Sequence, residues 1–302
     1  MKSEWIALAR TRNIAMNQPR VVQWKRQPLV VYRNKKNDVV VVPGRCLHRG
    51  MDLSAGKVLP SGCLECPYHG WTYDTRTYKM PFSYASHETN MPYRFVEQDG
   101  LLWVGSKEQE QGPPKLDAPP GARTVWFEKT IQNSAQVVLE NGIDPTHASF
   151  VHANAAGFGV YKQAPRRVRH EAGAMSFWYK PNPDVPLSVL LDIDDTYNIH
   201  ACALPYTSWS EVHVGKHVLK TFVTLLPETE DRTRMFVGFS RTFLTGAWFD
   251  LLMVLMGHAI VEQDRQILER IDKTTNDFGI LDPEYDALVA EYRTQLNECT
   301  FK

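Results

Sequence analysis

Two short stretches restrict this chain more than anything else in it: CLHRGMDLSAG from Cys46, and CPYHGW from Cys66, with seventeen residues between His48 and Cys66. Each offers one thiol and one imidazole. Zinc sites commonly draw on Cys and His in pairs separated by two residues, and Cys63-x-x-Cys66 would suit that pattern. Cys46 and His48 depart from it, being separated by a single residue. A one-residue gap on one side and a two-residue gap on the other places each pair on its own tight loop. That division of ligands suits a [2Fe–2S] cluster in which two Cys hold one iron and two His the other. Gly50 and Gly70 allow both loops to approach such a cluster closely, and Trp71 can shield it from water.

The stretch from Cys46 to Trp71 resembles the Rieske domain of the Rieske non-haem iron oxygenases, including the Arg after the first His. The resemblance implies that Cys46 and Cys66 bind one iron of the cluster and His48 and His69 the other. Cys63 has no place in the pattern and is read as a strand residue near the second loop. A cluster of this kind moves single electrons and transforms no substrate by itself, yet the chain continues far beyond it.

The continuation contains LENGIDPTHASFVH, residues 139 to 152. Asp144, His147 and His152 fall within nine positions, and two His with a carboxylate are the donor set of a non-haem Fe(II) site with open positions. His147 and His152 stand five residues apart, about 140° around an ideal helix, so the helix must end or distort between them. Asp144 before Pro145 is expected to start a helix as N-cap and N1, with His147 on a short helix and irregular backbone before His152. The resembling family carries the same D-x-x-H-x-x-x-x-H pattern. It implies that the two His bind iron, that Asp144 bridges by hydrogen bonds to a Rieske His of the neighbouring subunit, and that Asn141 lies near the iron and tunes access.

A carboxylate ligand must then come from elsewhere. In AIVEQDRQILERI, Ile260, Asp264, Ile267, Leu268 and Ile271 follow helical spacing. One carboxylate would thus lie in an apolar stripe, and a buried carboxylate needs a cation. Iron would serve, and a buried Asp–Arg pair is the plain alternative. Glu262 and Glu269 fall on another face and are expected to be solvated. The family's late acidic ligand also fits "EQD".

Residues 111 to 123, within a charged stretch containing four Pro, read as a linker. Residues 1 to 110 before it are all-β: PLVVYR and DVVVVP flank the turn NKKN, and GLLWVG follows an Asp-Gly turn. Residues 124 to 302 mix strands with helices near 246 to 273 and 283 to 297. The fold class is α+β, and the resemblance implies that the second part is a helix-capped antiparallel sheet of helix-grip, START-like form.

Lys and Arg total 34, as do Asp and Glu, so no electrostatic case exists for nucleic acid or an anionic membrane. FLTGAWFDLLMVLMGHAIV is apolar, but Asp250 and His258 interrupt it, and a spanning helix needs roughly 20 predominantly apolar residues. A buried helix walling an apolar pocket is expected instead. MKSEWIALAR has no apolar stretch long enough for a secretory signal, and five Cys form no disulfide framework. Reduced thiols in the cytoplasm are expected.

The resemblance implies the oxygenase component of a Rieske system, using O2 and external electrons to hydroxylate or demethylate a small cyclic substrate at mononuclear Fe(II). No G-x-G-x-x-G and no plant-type Cys cluster occurs, so a separate reductase, with or without a ferredoxin, is expected as donor. The short chain is more similar to the single-subunit monooxygenases and demethylases, which implies a homotrimer with head-to-tail electron transfer. The alternatives are a cis-dihydroxylating dioxygenase and a Rieske electron carrier whose second part only binds partners. In LLDIDDTYNIH, Leu191, Ile193, Asp195, Tyr197 and Ile199 share a strand face. Were that face inward, Asp195 could attract a basic substrate group; a salt-bridged strand acid is the plainer reading.

Overall fold

The computed structural model describes residues 4–24, 26–108, 110–152, 168–171, 174–179, 196–271, 280–283 and 286–299. The chain separates into two compact units, residues 7–113 and residues 114–302 with 1–6.

The unit of residues 7–113 is built of strands. They are β1 (Trp5–Arg10, which begins in the other unit), β2 (Arg20–Trp24), β3 (Gln27–Arg33), β4 (Val39–Pro43), β5 (Lys57–Val58), β6 (Leu64–Glu65), β7 (Thr72–Tyr73), β8 (Thr77–Lys79), β9 (His87–Glu88), β10 (Tyr93–Gln98) and β11 (Leu101–Ser106). They form sheets ordered β2-β3-β4, β5-β6-β7-β8-β9 and β1-β11-β10. Asp99 and Gly100, at φ 54° and 76°, make the two-residue turn between β10 and β11, because positive φ at both positions matches the twist of the strands it joins. Val30, Tyr32, Val40 and Val42 of β3 and β4 pack with Leu53, Leu64 and Tyr73 into one core, and Cys46 and Cys66 belong to it. The two Cys/His loops are therefore rooted in this core.

The second unit is a seven-stranded antiparallel sheet with helices. Its strands are β12 (Arg123–Ile131), β13 (Arg169–Glu171), β14 (Ala174–Tyr179), β15 (Thr196–Ala203), β16 (Thr207–Val214), β17 (His217–Thr229) and β18 (Arg232–Arg241). Their order is β12-β18-β17-β16-β15-β14-β13. Helices α1 (Ala135–Ile143), α2 (His147–Val151), α3 (Phe249–Leu268) and α4 (Ala287–Asn297) complete the described elements. Helix α1 lies over β15 to β18, α3 against β12 and α4 against β14. The expected helix-capped antiparallel sheet is what the chain forms.

Helix α3 is shorter than the stretch 246–273, and its seat differs from expectation. Its buried line is Met253, Gly257, Val261, Asp264 and Leu268. Asp264 and Leu268 face inward as expected, whereas Ile267 and Ile271 are 44% and 40% exposed. Gly257 sets this phase: a Cβ there would lie 2.6 Å from Phe127 Cε1 and closer still to Phe239 Cε2. The helix therefore rests on those two rings by its glycine, and the isoleucines turn outward. The N-terminal half is not buried either, with Trp248, Leu251 and Leu255 exposed. Asp250 does not interrupt a membrane span; it joins Arg123 and the fully buried Arg241 at 2.6 and 2.9 Å. Among the described residues no helix is long and apolar enough to cross a membrane.

Candidate functional site

The two Cys/His loops are built alike. Cys46 N–H donates to Met51 O and Gly50 N–H to Cys46 O, both at 2.8 Å; Cys66 N–H donates to Trp71 O at 2.7 Å and Gly70 N–H to Cys66 O at 3.0 Å. Gly50 and Gly70 close both loops at φ 69°, where an L side chain is strained. Because the loops match, the one-residue shift between Cys46-x-His48 and Cys66-x-x-His69 is a true asymmetry of ligand placement. Both thiols are buried and free, and burial pushes the Cys66 thiol up. His48 and His69 stand exposed at the tip, with ring centroids 4.7 Å apart. Partial desolvation, followed by the charges of His48 and Arg49, lowers the His69 pKa and favours the neutral, ligating imidazole. Two thiols inside and two imidazoles outside fit a cluster bound through sulfur at its buried end and nitrogen at its exposed end.

The surroundings of the loops extend this picture. Trp71 stacks on His48 at 5.1 Å and on Tyr78 at 5.3 Å, beside the paired imidazoles. Tyr73 is a contributor that the motif did not single out. Its oxygen accepts from Leu47 N–H at 3.0 Å and lies 3.1 Å from Cys46 Sγ, to which its O–H would donate once that sulfur is a thiolate. Cys63 lies just before β6 and donates its N–H to Ser61 Oγ; it takes no part in either loop.

In the second unit, His147, His152 and Asp264 come together with their ligand atoms all within 4.8 Å of one another. Asp264 Oδ1 lies 3.2 Å from His152 Nε2 and 3.6 Å from His147 Nε2. The other ring nitrogens are spoken for: His147 Nδ1 meets Asp144 O at 2.5 Å and His152 Nδ1 meets Gln263 Oε1 at 2.8 Å. Both partners are carbonyl oxygens and can only accept. Each Nδ1 therefore carries the proton, and each Nε2 lone pair faces the shared point. Asn141 Nδ2 donates to Asp264 Oδ1 at 3.2 Å and holds that carboxylate in place. Burial would lower the His152 pKa, but the hydrogen bond and charge of Asp264, with Gln263 beside them, raise it. Three inward donors with oriented second partners are the chemistry of a divalent-metal site with open positions.

The backbone route to this geometry differs from expectation at Asp144. The residue does not start a helix: it is the C-cap of α1, at φ −84° and ψ 111°, and Thr146 is the cap of α2. A residue before proline is driven out of helical geometry, so Pro145 ends α1 there. Asp144 Oδ1 accepts from Thr146 N–H at 2.7 Å, and the carboxylate is not part of the three-ligand cluster. Helix α2 ends at Val151, and His152 leaves it at φ −107° and ψ 15°, which resolves the five-residue spacing.

Three further residues escaped the motif. Gln263, beside Asp264 in sequence, orients His152. Glu140 is buried and bonds Arg293 of α4 at 2.8 and 2.9 Å, bracing α1. Asn133 Nδ2 donates to Leu268 O at 2.7 Å and anchors the end of α3. Glu262 and Glu269 are not free on a solvated face. Glu262 bonds Lys129 at 2.6 Å, and both carboxylates clasp Arg265.

Strand β15 turns the face that carries Tyr197 and Ile199 away from α1. Tyr197 stacks on His213 at 4.1 Å, away from α1, whereas His200 pairs in register with Ser210 on the α1 side. Asp195 lies outside the described residues.

Family models match both units: the Rieske [2Fe-2S] domain over residues 4–82, and the vanillate O-demethylase oxygenase C-terminal domain over residues 131–300. The chain belongs to this oxygenase family. The oxygenase component of dicamba O-demethylase from Stenotrophomonas maltophilia is 25% identical over 284 residues, covering 82% of this chain and 80% of that protein. Chlorophyllide a oxygenase of Arabidopsis thaliana is 28% identical over 168 residues, covering 53% of this chain. The match takes in only 31% of that protein, and 36% and 25% of two other curated relatives, so the chain spans about a third of their length. The crystal structure of dicamba monooxygenase bound to dicamba superposes with TM-score 0.79 at 21% identity, over 98% of this chain and 96% of that one. Pseudomonas putida CBB5 NdmA with caffeine superposes with TM-score 0.76 at 22% identity, over 98% and 90% of the two chains. At these identities the likeness is one of fold.

Proposed function

We propose that this chain is the terminal oxygenase component of a Rieske-type system, hydroxylating or oxidatively demethylating a small cyclic organic substrate. The balanced step converts one C–H bond, O2, two electrons and two protons into one C–OH bond and water. Where that carbon is an O- or N-methyl group, the hydroxylated methyl leaves as formaldehyde. The observation that carries this reading is the convergence of His147 Nε2, His152 Nε2 and Asp264 Oδ1 on one point, in a family whose N-terminal part is a Rieske [2Fe-2S] domain. Similarity to dicamba O-demethylase along most of both chains favours the monooxygenase and demethylase form.

In this reading Cys46, Cys66, His48 and His69 hold the [2Fe–2S] cluster, and His147, His152 and Asp264 hold Fe(II). The cluster supplies single electrons and the Fe(II) supplies open positions for O2. Asp144 O and Gln263 Oε1 keep both imidazoles in the ligating tautomer, and Asn141 steadies Asp264 while governing access to its open side. Asp144 is the bridging carboxylate. Its Oδ1 is engaged with Thr146, and among the described residues Oδ2 makes no hydrogen bond, which leaves an acceptor for a Rieske imidazole of the next subunit.

We place electron entry in residues 1–110, the linker at 111–123 and oxygenation in 124–302. A homotrimer with head-to-tail transfer, a reductase with or without a ferredoxin, and a cytoplasmic setting for cysteines that form no disulfide complete the proposal. Two measurements test it. Metal analysis should find one iron beyond the two of the cluster, and turnover under labelled dioxygen should place one labelled atom in the product. Iron confined to the cluster would leave only an electron carrier, and two labelled atoms in one product would make it a dioxygenase.

A further inference from the structure

The sheet face that α1 covers can be followed strand by strand. Ser208 of β16 lies beneath α1, its Oγ 3.4 Å from where a Cβ on Gly142 would sit. Register places Cys202 opposite Ser208, His200 opposite Ser210 and Asn198 opposite Val212. Residues two apart on a strand share a face, so Asn198, His200 and Cys202 all point to the α1 side. His200 stacks on Phe177 at 5.5 Å and lies close to His147. The opposite face is occupied by another network, in which Glu211 bonds His213 at 2.9 Å and Lys220 at 2.8 Å. The three-ligand cluster therefore looks onto the even-numbered residues of β15.

Asn198 is anomalous among them. It is 5% exposed, and among the described residues its Oδ1 has no hydrogen-bond partner. Buried polar atoms almost always find one, because an unmade bond carries the full cost of leaving water. The residue stands two positions from His200, about 6.6 Å along the strand. Its neighbours in register are Tyr179 on β14 and, across β16 and β17, Val212 and Leu219, the last two offering neither charge nor hydrogen bond.

We propose that Asn198 is a substrate-recognition residue, its buried amide oxygen accepting a hydrogen bond from a neutral hydroxyl or ring N–H on an otherwise apolar substrate. The proposal rests on the oxygenase reading above, and it narrows the substrate class. An uncharged amide beside Val212 and Leu219 suits a phenol, alcohol or N–H heterocycle. A site that hydrogen-bonds a substrate group discriminates strongly against analogues lacking it, because the protein atom is then left unpaired.

The experiment compares the wild-type holoenzyme with Asn198→Leu and the smaller Asn198→Val. Two probe pairs differ only in replacement of a donor hydrogen by methyl: 2-methoxyphenol with 1,2-dimethoxybenzene, and theobromine with caffeine. Binding is read as ligand-induced change in melting temperature. Wild type should bind the donor-bearing member of at least one pair tenfold or more tightly, and the variants should lose that preference. Without ligand, a variant freed of the orphaned oxygen should melt higher by about 2–4 °C. That rise shows the oxygen to be unpaired in the folded protein, as the proposal requires, and a wild type without donor preference for any probe it binds would overturn the proposal. A lower melting temperature in both variants, or a donor preference that survives them, would overturn it and make Asn198 structural. Iron content and oxygen uptake on the same preparations keep the two readings apart. Wild type lacking the additional iron counts against the oxygenase reading, whereas intact iron with an unchanged donor preference in the variants counts against Asn198 alone.

Discussion

Gly257→Ala adds one methyl group, and its effect can be worked from the packing of α3. In an exposed helix the change stabilises by about 1 kcal/mol, because alanine loses less backbone freedom than glycine. Here the new Cβ would stand 2.6 Å from Phe127 Cε1 and nearer to Phe239 Cε2, where carbon atoms rest at about 3.5–4.0 Å. The two rings touch each other, with centroids 5.6 Å apart, so neither can turn aside freely. Helix α3 must then lift by roughly 1 Å, and overpacking of this kind costs about 1–3 kcal/mol. Asp264 follows seven residues later, about 10.5 Å along the same axis, and moves with the helix while His147 and His152 stay on α2. Metal–ligand distances in well-formed sites fall within about 0.2 Å of their usual values. The variant should therefore melt below wild type and bind Fe(II) about 10–100-fold more weakly, the range set by loss of outer support. Thermal unfolding and chelator competition measure the two effects, and the cluster's visible spectrum should be unchanged. A higher melting temperature with undiminished iron affinity would refute the seating of α3 on Phe127 and Phe239.

Three other outcomes are expected. Tyr73→Phe removes the O–H directed at Cys46 Sγ. A hydrogen bond to a ligand sulfur favours the more negative reduced state, so the cluster's potential, measured by redox titration, should fall. A loss of about 1 kcal/mol corresponds to about 43 mV for one electron. Asp144→Asn should keep its iron and its Rieske spectrum, because Asp144 lies outside the ligand triangle. It should nevertheless turn over slowly, with delayed reoxidation of the reduced cluster in single-turnover mixing; normal reoxidation would rule out the bridge. Asp250 has its pKa lowered to about 2 by hydrogen bonds from Arg123 and Arg241. A depressed carboxylate pKa contributes stability fully above its unfolded value near 4. That contribution is lost as pH falls toward 2. Acid titration of wild type and Asp250→Asn should differ in slope between about pH 4 and 2, and superimposable curves would mean the three side chains are not coupled.

The candidate metal-binding stretches were legible because their information is local. Cys46, His48, Cys66 and His69 lie on two tight loops, and spacing within a tight loop decides which side chains can share a cluster. His147 and His152 were legible for the same reason, since a helix that must break between them is written into five residues. Asp264 was found through the periodicity of its helix, although two of the isoleucines thought to share its face point outward. Periodicity specifies a stripe but not which edge of it touches the sheet, and that choice was made by Gly257 meeting Phe127 and Phe239 from strands far away in sequence.

What the sequence by itself determined is therefore the donor set: which Cys, His and Asp are available, and which of them a short backbone segment can bring together. Local sterics also lay in it, although Asp144 before Pro145 was read as a helix start where proline in fact makes it a helix end. Only the tertiary structure decided how the donors are aimed. Gln263 turns His152, Asn141 holds Asp264 across 123 residues of sequence, and Tyr73 reaches Cys46 from β7 across 27 residues. It also decided which face of β15 meets the site, placing Asn198 and His200 there and Tyr197 on the other side. The physical reason is that alternation on a strand defines two faces without naming the inner one. That is settled by the helix that lies on the sheet, and no window of the sequence contains both.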